Sequence, residues 1–286
     1  MAGGIRPAAA AGSFYVEDGR ALASDVDRLL GSSARWTGPR PWGVVVPHAG
    51  LRYSGPVAAT AYAAAAAFDA DIARVVVIGP SHFVPLTGCS VPTDETPAWR
   101  TPLGEVGIDV GLRATALRSG CVADDEAHRS EHSIEVQLPF LQRALGDGFR
   151  FLPVAVGRTG AGDVAALLRR LETEADLVVV STDLSHYEDI ARARRLDRRT
   201  AEAVQSLDAD AIGPSDACGV YALRGAVRFA REAGMAIRLL ELRTSGDTAG
   251  DADRVVGYGA FSITPRPGVP ARSVGAQGNS AAATRR

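Results

Sequence analysis

"GVVVPHAG", residues 43–50, decides how the chain is read: a valine run with the composition of a buried strand stops at a short turn carrying an imidazole. "VVVIGPSH" (75–82) and "VVVSTDLSH" (178–186) have the same form, so three of the five histidines follow strand-like runs. Strands covered on both faces read as continuous apolar runs, and they belong to parallel sheets with helices above and below.

Working outward, Leu22, Val26, Leu29 and Leu30 have helical spacing and predict a helix over 18–30. A strand over 43–47 precedes an Ala-rich helix over 54–67, for which Ser54 is a suitable cap. A strand at 74–79 leads into a polar, Pro-rich stretch (85–107) that reads as loop or irregular hairpin. Helices are expected over 109–119 and 134–145, a strand over 149–157, a helix over 162–174 and a strand over 177–182. Helices over 189–207 and 219–233 follow, and strands over 236–243 and 254–264 close the chain around "SGDTAGD".

This alternation predicts one α/β domain over residues 1–265, a mainly parallel sheet flanked by helices. Residues 266–286, rich in Pro, Gly, Ser and Ala, are expected to be disordered. In open sheets of this kind ligands bind beyond the carboxyl ends of the strands, and there His48, His82 and His186 would gather.

A chain of 286 residues can bury about 75% of its unfolded surface, enough for a large core. Its formal net charge of −2, with Arg as the only strongly basic residue type, argues against a nucleic-acid footprint. Three cysteines without paired spacing fit a reducing compartment rather than a disulfide framework. The N-terminus lacks the basic start and long apolar core of a signal peptide, and no stretch approaches the roughly 18 apolar residues of a membrane span. The expectation is a soluble, cytoplasmic protein that binds neither nucleic acid nor membrane.

Neutral imidazole is the commonest metal ligand, and three imidazoles at one end of one sheet point to a metal or acid–base site. Asp183, three residues before His186, can orient an imidazole, bind a metal or cap a turn. His186 itself can be a third ligand or a general base. Cys218, in "DACGVYAL", falls at the start of a predicted helix, where a thiolate is favoured, although a buried structural cysteine fits the same position. Cys89 and Cys121 have no such context and read as inert.

"HRSEH" (128–132) matches the H-x-x-E-H pattern of inverted zinc peptidases, but that chemistry needs a continuous helix and the apolar period begins only near Ile134. His132 and Glu135 remain able to reach the pocket as supporting residues. "ARARRLDRRT" (191–200) reads as a solvated helix face, and the chain has no G-x-S-x-G elbow.

Seven motifs in one order carry a resemblance: "RPAAAAGSFY", "VPHAGLRYSG", "GPSH", "WRTPLGEVGID", "EHSIEVQLPF", "STDLSHY" and "CGVYAL". Together they resemble the Memo family, whose bacterial and archaeal members are also called AmmeMemoRadiSam system protein B. The resemblance covers residues 5 to 264, with Leu51 standing where the family more usually has an aromatic. It implies a fold like the class III extradiol (LigB-like) dioxygenases, which bind non-haem iron. It also implies a pocket of His48, His82 and Cys218 as metal ligands, with Asp183 and His186 beside them. Tyr53 and Arg100, inside two of the motifs, join His132 and Glu135 as supporting or ligand-binding residues.

A thiolate in place of the dioxygenases' glutamate favours softer copper or zinc over iron(II), so the reaction does not travel with the fold. The expectation is a transition metal, Fe(II) or copper with zinc as the further option, in a redox-active protein. His186 would act as acid–base and Asp183 as its orienter. The alternative is a cleft that holds a peptide or small ligand without chemistry. The family name also implies company with a radical S-adenosylmethionine enzyme.

Overall fold

The computed structural model describes residues 4–249 and 252–266. Its strands are β1 (Gly43–Val46), β2 (Arg74–Pro80), β3 (Cys89–Val91), β4 (Ala98–Thr101), β5 (Gly104–Gly107), β6 (Val122–Ala123), β7 (Arg150–Val156), β8 (Leu177–Ser181), β9 (His186–Glu188), β10 (Met235–Thr244) and β11 (Val255–Pro265). The helices are α1 (Gly19–Gly31), α2 (Leu51–Ala66), α3 (Val110–Arg118), α4 (Glu126–Arg129), α5 (His132–Glu135), α6 (Gln137–Leu145), α7 (Ala161–Leu171), α8 (Ile190–Gln205), α9 (Val220–Glu232) and α10 (Ser245–Thr248).

One sheet runs β10-β11-β1-β8-β2-β7-β3-β6, with β9 paired to β11. Its centre, β1-β8-β2-β7, is parallel throughout, and antiparallel pairing appears where β11 joins β1 and where β3 joins β7. The valine runs explain this arrangement. Val45, Val76, Ile78, Val178 and Val180 face α7 and α9 through Leu167, Leu168, Leu223 and Val227. The alternate residues Val44, Val46, Val75, Val77 and Val179 face α1, α2 and α6 through Val26, Val57, Tyr62 and Phe140. Each such side chain stabilises the fold by about 1.5–3 kcal/mol when fully buried, so polar groups are displaced to the strand ends. No helix among the described residues is long and apolar enough to cross a membrane.

Four local expectations are corrected. The second helix starts at Leu51, not Ser54: Gly50 is its extended N-cap, and the Ser54 hydroxyl lies inside the first turn, donating to the Ala49 carbonyl at 2.7 Å. The stretch 85–107 holds the β4–β5 hairpin, as allowed for, but also β3, which joins the main sheet. The helix expected from 134 begins at His132 and is divided at Val136, where Pro139 lacks the N–H that would bond to the Glu135 carbonyl. Part of "SGDTAGD" forms the single turn α10, with Asp247 bonded back to the Thr244 amide. From residue 267 onward, the expected tail lies outside the described residues.

Candidate metal centre

β1, β8 and β2 are consecutive parallel neighbours, with Val46 opposite Ser181 and Ile78 opposite Val180. Three chain segments therefore leave the sheet side by side, roughly 4.8 Å apart. The first carries His48, the second Asp183 and His186, the third His82. A fourth arrives from behind: α9 begins at the Gly219 N-cap, whose amide donates to Thr182 Oγ1 at 2.9 Å. A Cβ on Gly219 would meet Thr182 Cβ at 2.8 Å and the Ser181 carbonyl at 2.9 Å, so glycine permits this close approach and sets Cys218 over the strand end.

Ligand-capable atoms of His48, His82 and Cys218 all lie within 4.8 Å of one another. Cys218 Sγ is 3.2 Å from His48 Nε2, and the His48 and His82 rings meet edge to face at 5.3 Å and 78°. The lone pairs of rings so inclined can converge on one ion.

The opposite nitrogen of each ring is tethered. His48 Nδ1 is 2.9 Å from Ser181 Oγ, whose own proton goes to the Ser133 carbonyl at 2.6 Å. Gln137 Nε2 donates to the same Oγ at 2.8 Å and to the Pro47 carbonyl at 3.0 Å, while Gln137 Oε1 accepts from Tyr62 at 2.8 Å. A hydroxyl has one proton, so His48 Nδ1 must be the donor, and Nε2 is left as a bare acceptor. His82 Nδ1 lies 2.9 Å from Glu131 Oε1, the carboxylate–imidazole pairing that fixes a metal-binding tautomer. Glu131 also accepts from the His82 and Ser133 amides at 2.6 and 2.8 Å. Burial works to raise the Glu131 pKa, but these bonds outweigh it and bring it down to about 2.

Burial, with nearby His82 and His186, lowers the His48 pKa to about 3, so the ring is neutral and able to ligate at neutral pH. The thiol runs against expectation. Cys218 stands one residue before the N-cap, and burial together with the Asp183 carboxylate pushes it up to about 12. Desolvation outweighs the helix terminus. Without a metal, the group is a thiol.

Asp183 serves a different neighbour from the one expected. Its Oδ1 accepts from the amides of His48 and Ala49 at 2.7 and 3.3 Å, so it pins the His48 turn at the uncapped start of α2. His186 is oriented by the Leu184 carbonyl, 2.8 Å from its Nδ1. His132 lies in the pocket wall, stacked on His82 at 4.6 Å and on Phe14 at 4.2 Å. His82, Glu131 and His132 are also close enough to hold an ion, but the two rings are nearly parallel at 16°, so their in-plane lone pairs run side by side rather than converge. Glu131 is moreover already occupied by three donors.

Three expected supporting residues lie elsewhere or at the margin. Glu135 is fully buried and binds the N-terminal segment: Arg6, Tyr15 and the amides of Ala9 and Ala10 all donate to it. Arg100 is exposed and pairs with Glu105 across the β4–β5 hairpin, because strand alternation turns it away from the sheet. Tyr53 sits in the first turn of α2, 37% exposed. Sequence reading missed Ser181, Gln137 and Tyr62, and met Glu131 only as the glutamate of the H-x-x-E-H pattern. Glu131 could have been found as the residue before His132 in "SEHSIE"; the other three carry no local signal. The H-x-x-E-H pattern does not form one helix, since α4 ends at Arg129 and α5 starts at His132.

A cleft of about 580 Å³ adjoins the histidine pocket, between α1, α2 and the turn at Phe14. No histidine lines it, so the groups able to hold a metal ion lie in the histidine pocket next door.

The sequence model for the family described as Memo-like protein matches residues 6–262. A MEMO1 family protein of Methanopyrus kandleri is 39% identical over 234 residues, covering 77% of this chain and 82% of its own length. MEMO1 family proteins of Thermoplasma volcanium and Aeropyrum pernix are each 34% identical and cover 90% and 91% of this chain and 97% and 99% of their own.

Proposed function

The chain belongs to the Memo family, and on that footing we propose that it is a transition-metal protein whose ion sits on His48, His82 and Cys218. The observation that carries this reading is the tethering of both imidazoles at Nδ1, which leaves Nε2 of each free to ligate, with His48 Nε2 already against the Cys218 thiol. Two imidazoles and a sulfur suit Fe(II), copper or zinc, and the sulfur draws the preference towards Cu(I). Bound iron or copper would supply one-electron redox chemistry. The chain's own groups then have separate tasks. Ser181 and Glu131 hold the rings, Asp183 holds the His48 turn, and His186, donating Nδ1–H to the Leu184 carbonyl, offers Nε2 to a substrate proton.

Anaerobic calorimetry with Fe(II), Cu(I) and Zn(II) under reducing conditions tests this. Stoichiometric binding is expected, lost in His48→Ala and His82→Ala while circular dichroism is unchanged. Absence of binding to the wild-type protein rejects the reading and moves the second one forward. That second reading, a cleft holding a peptide or small ligand without chemistry, draws on the aromatic side chains exposed beside the pocket: Phe83 at 60% and Tyr187 at 66%. Partnership with a radical S-adenosylmethionine enzyme is part of the proposal and is tested by co-purification.

A further inference from the structure

Cys89 and Cys121 are 32 positions apart in the chain and show no pattern in the sequence, yet the sheet brings them together. β3 and β6 pair in parallel with Ser90 opposite Val122 and Val91 opposite Ala123. One step back along both strands, Cys89 stands opposite Cys121, on the sheet face that packs into the α7–α9 core. Glycines in the left-handed region, Gly88 at φ +82° and Gly120 at φ +96°, precede the two cysteines and turn each chain onto its strand. Both side chains are buried in the same core cluster. Neighbouring strands lie about 4.8 Å apart, inside the roughly 4.4–6.8 Å Cα separation that a disulfide accepts.

We propose that Cys89 and Cys121 form a reversible dithiol–disulfide site, whose partner is a low-molecular-weight disulfide such as oxidised glutathione. The thiolate of one cysteine attacks a sulfur of the small disulfide, forming a mixed disulfide and releasing one small thiol. The second cysteine, as thiolate, attacks the protein sulfur of that mixed disulfide and releases the other. Two electrons and two protons pass to the oxidant, which leaves as two thiols, and one S–S bond joins β3 to β6. The neighbouring Cys121 thiol holds the Cys89 thiol below its ordinary value against the effect of burial, while Cys89 and burial raise Cys121, so Cys89 is the one that attacks first. Either cysteine is almost buried, at 8% and 7% exposure, but the site is at the sheet's margin. β6 is the terminal strand, only two residues long, and Val122 is half exposed, so opening that edge admits the oxidant.

The bond would tie together two arms of the pocket. Cys89 follows the His82 turn by seven residues, and Cys121 precedes Glu131 by ten. Cys218 sits beyond the end of β8, three strands away from β3 in the sheet, and serves as an internal comparison.

The full-length wild-type protein, metal-free, is incubated with oxidised glutathione, denatured, alkylated and mapped by mass spectrometry. The expected result is a peptide pair linked through Cys89 and Cys121, reversed by dithiothreitol and absent in Cys89→Ser. A stable glutathione adduct on either residue without the link overturns the proposal. So does a link through Cys218, or full alkylation of both cysteines in a solution that oxidises free dithiothreitol. Because the wild-type map alone decides, poor folding of the Cys89→Ser variant leaves the test intact.

Discussion

Cys218 Sγ lies 3.2 Å from His48 Nε2, and the hydrogen bond between them runs from sulfur to nitrogen. The direction follows from a hydroxyl one layer deeper: Ser181 gives its proton to the Ser133 carbonyl, so His48 must donate from Nδ1 and accept at Nε2. A neutral imidazole and a thiol raised to about 12 agree with that assignment. The atoms that would hold a metal thus share one proton in its absence.

Metal binding should expel that proton. Calorimetric titrations at pH 7 in two buffers of different ionisation enthalpy are expected to show about one proton released per ion by wild-type protein. Cys218→Ser should release none from this position and bind more weakly.

The raised thiol also sets reactivity. Iodoacetamide labelling of metal-free protein at pH 7–8 should be slower at Cys218 than at a free cysteine, whose pKa is about 8.5, because burial and Asp183 oppose the thiolate. Peptide mapping against time checks this, and rapid labelling at Cys218 would show that the helix start governs instead.

Ser181→Ala removes the acceptor that fixes the His48 tautomer, and Glu131→Gln replaces a carboxylate facing three N–H donors with an amide. Each should weaken metal affinity by about 10–100-fold. Ser181→Ala should also cost about 1–3 kcal/mol of stability, since the Gln137 and His48 donors lose a buried partner. Parallel calorimetry and urea unfolding separate the two effects.

Glu135→Gln should act on stability rather than on the metal. The substitution breaks a buried ion pair with Arg6 and frees the N-terminal segment, a loss of about 3–5 kcal/mol. A fall in Tm with metal affinity retained in the folded fraction is the expected outcome.

Stability of the metal-free protein should decline in acid. Burial lowers the pKa of His128 to about 4, and its Nδ1 has no hydrogen-bond partner among the described residues. The unfolded chain, with His near 6.5, binds the proton first, so this contribution is complete above about pH 6.5 and is lost as pH falls towards 4. Urea unfolding at pH 7 and pH 4 should differ by on the order of 2–3 kcal/mol from this residue. His128→Gln should flatten that part of the profile.

The sequence by itself determined the layered fold, because strands buried on both faces can be built only from continuous apolar runs such as "GVVV" and "LVVVS". It also determined that His48 and His82 would leave the same edge of the sheet, since residues that follow parallel strands lie at their carboxyl ends. Local rules failed where a distant group satisfied the backbone. The Leu51 amide at the start of α2 donates to the distant Phe14 carbonyl at 2.8 Å, and Asp183, 135 positions from His48, holds the turn before it, so no cap is visible beside the helix. Tertiary structure alone decided the rest: which nitrogen of each imidazole is free, whether Cys218 is thiol or thiolate, and that Cys89 meets Cys121. Tautomer and protonation follow from the burial and partners of single atoms, and those partners come from segments far apart in the chain.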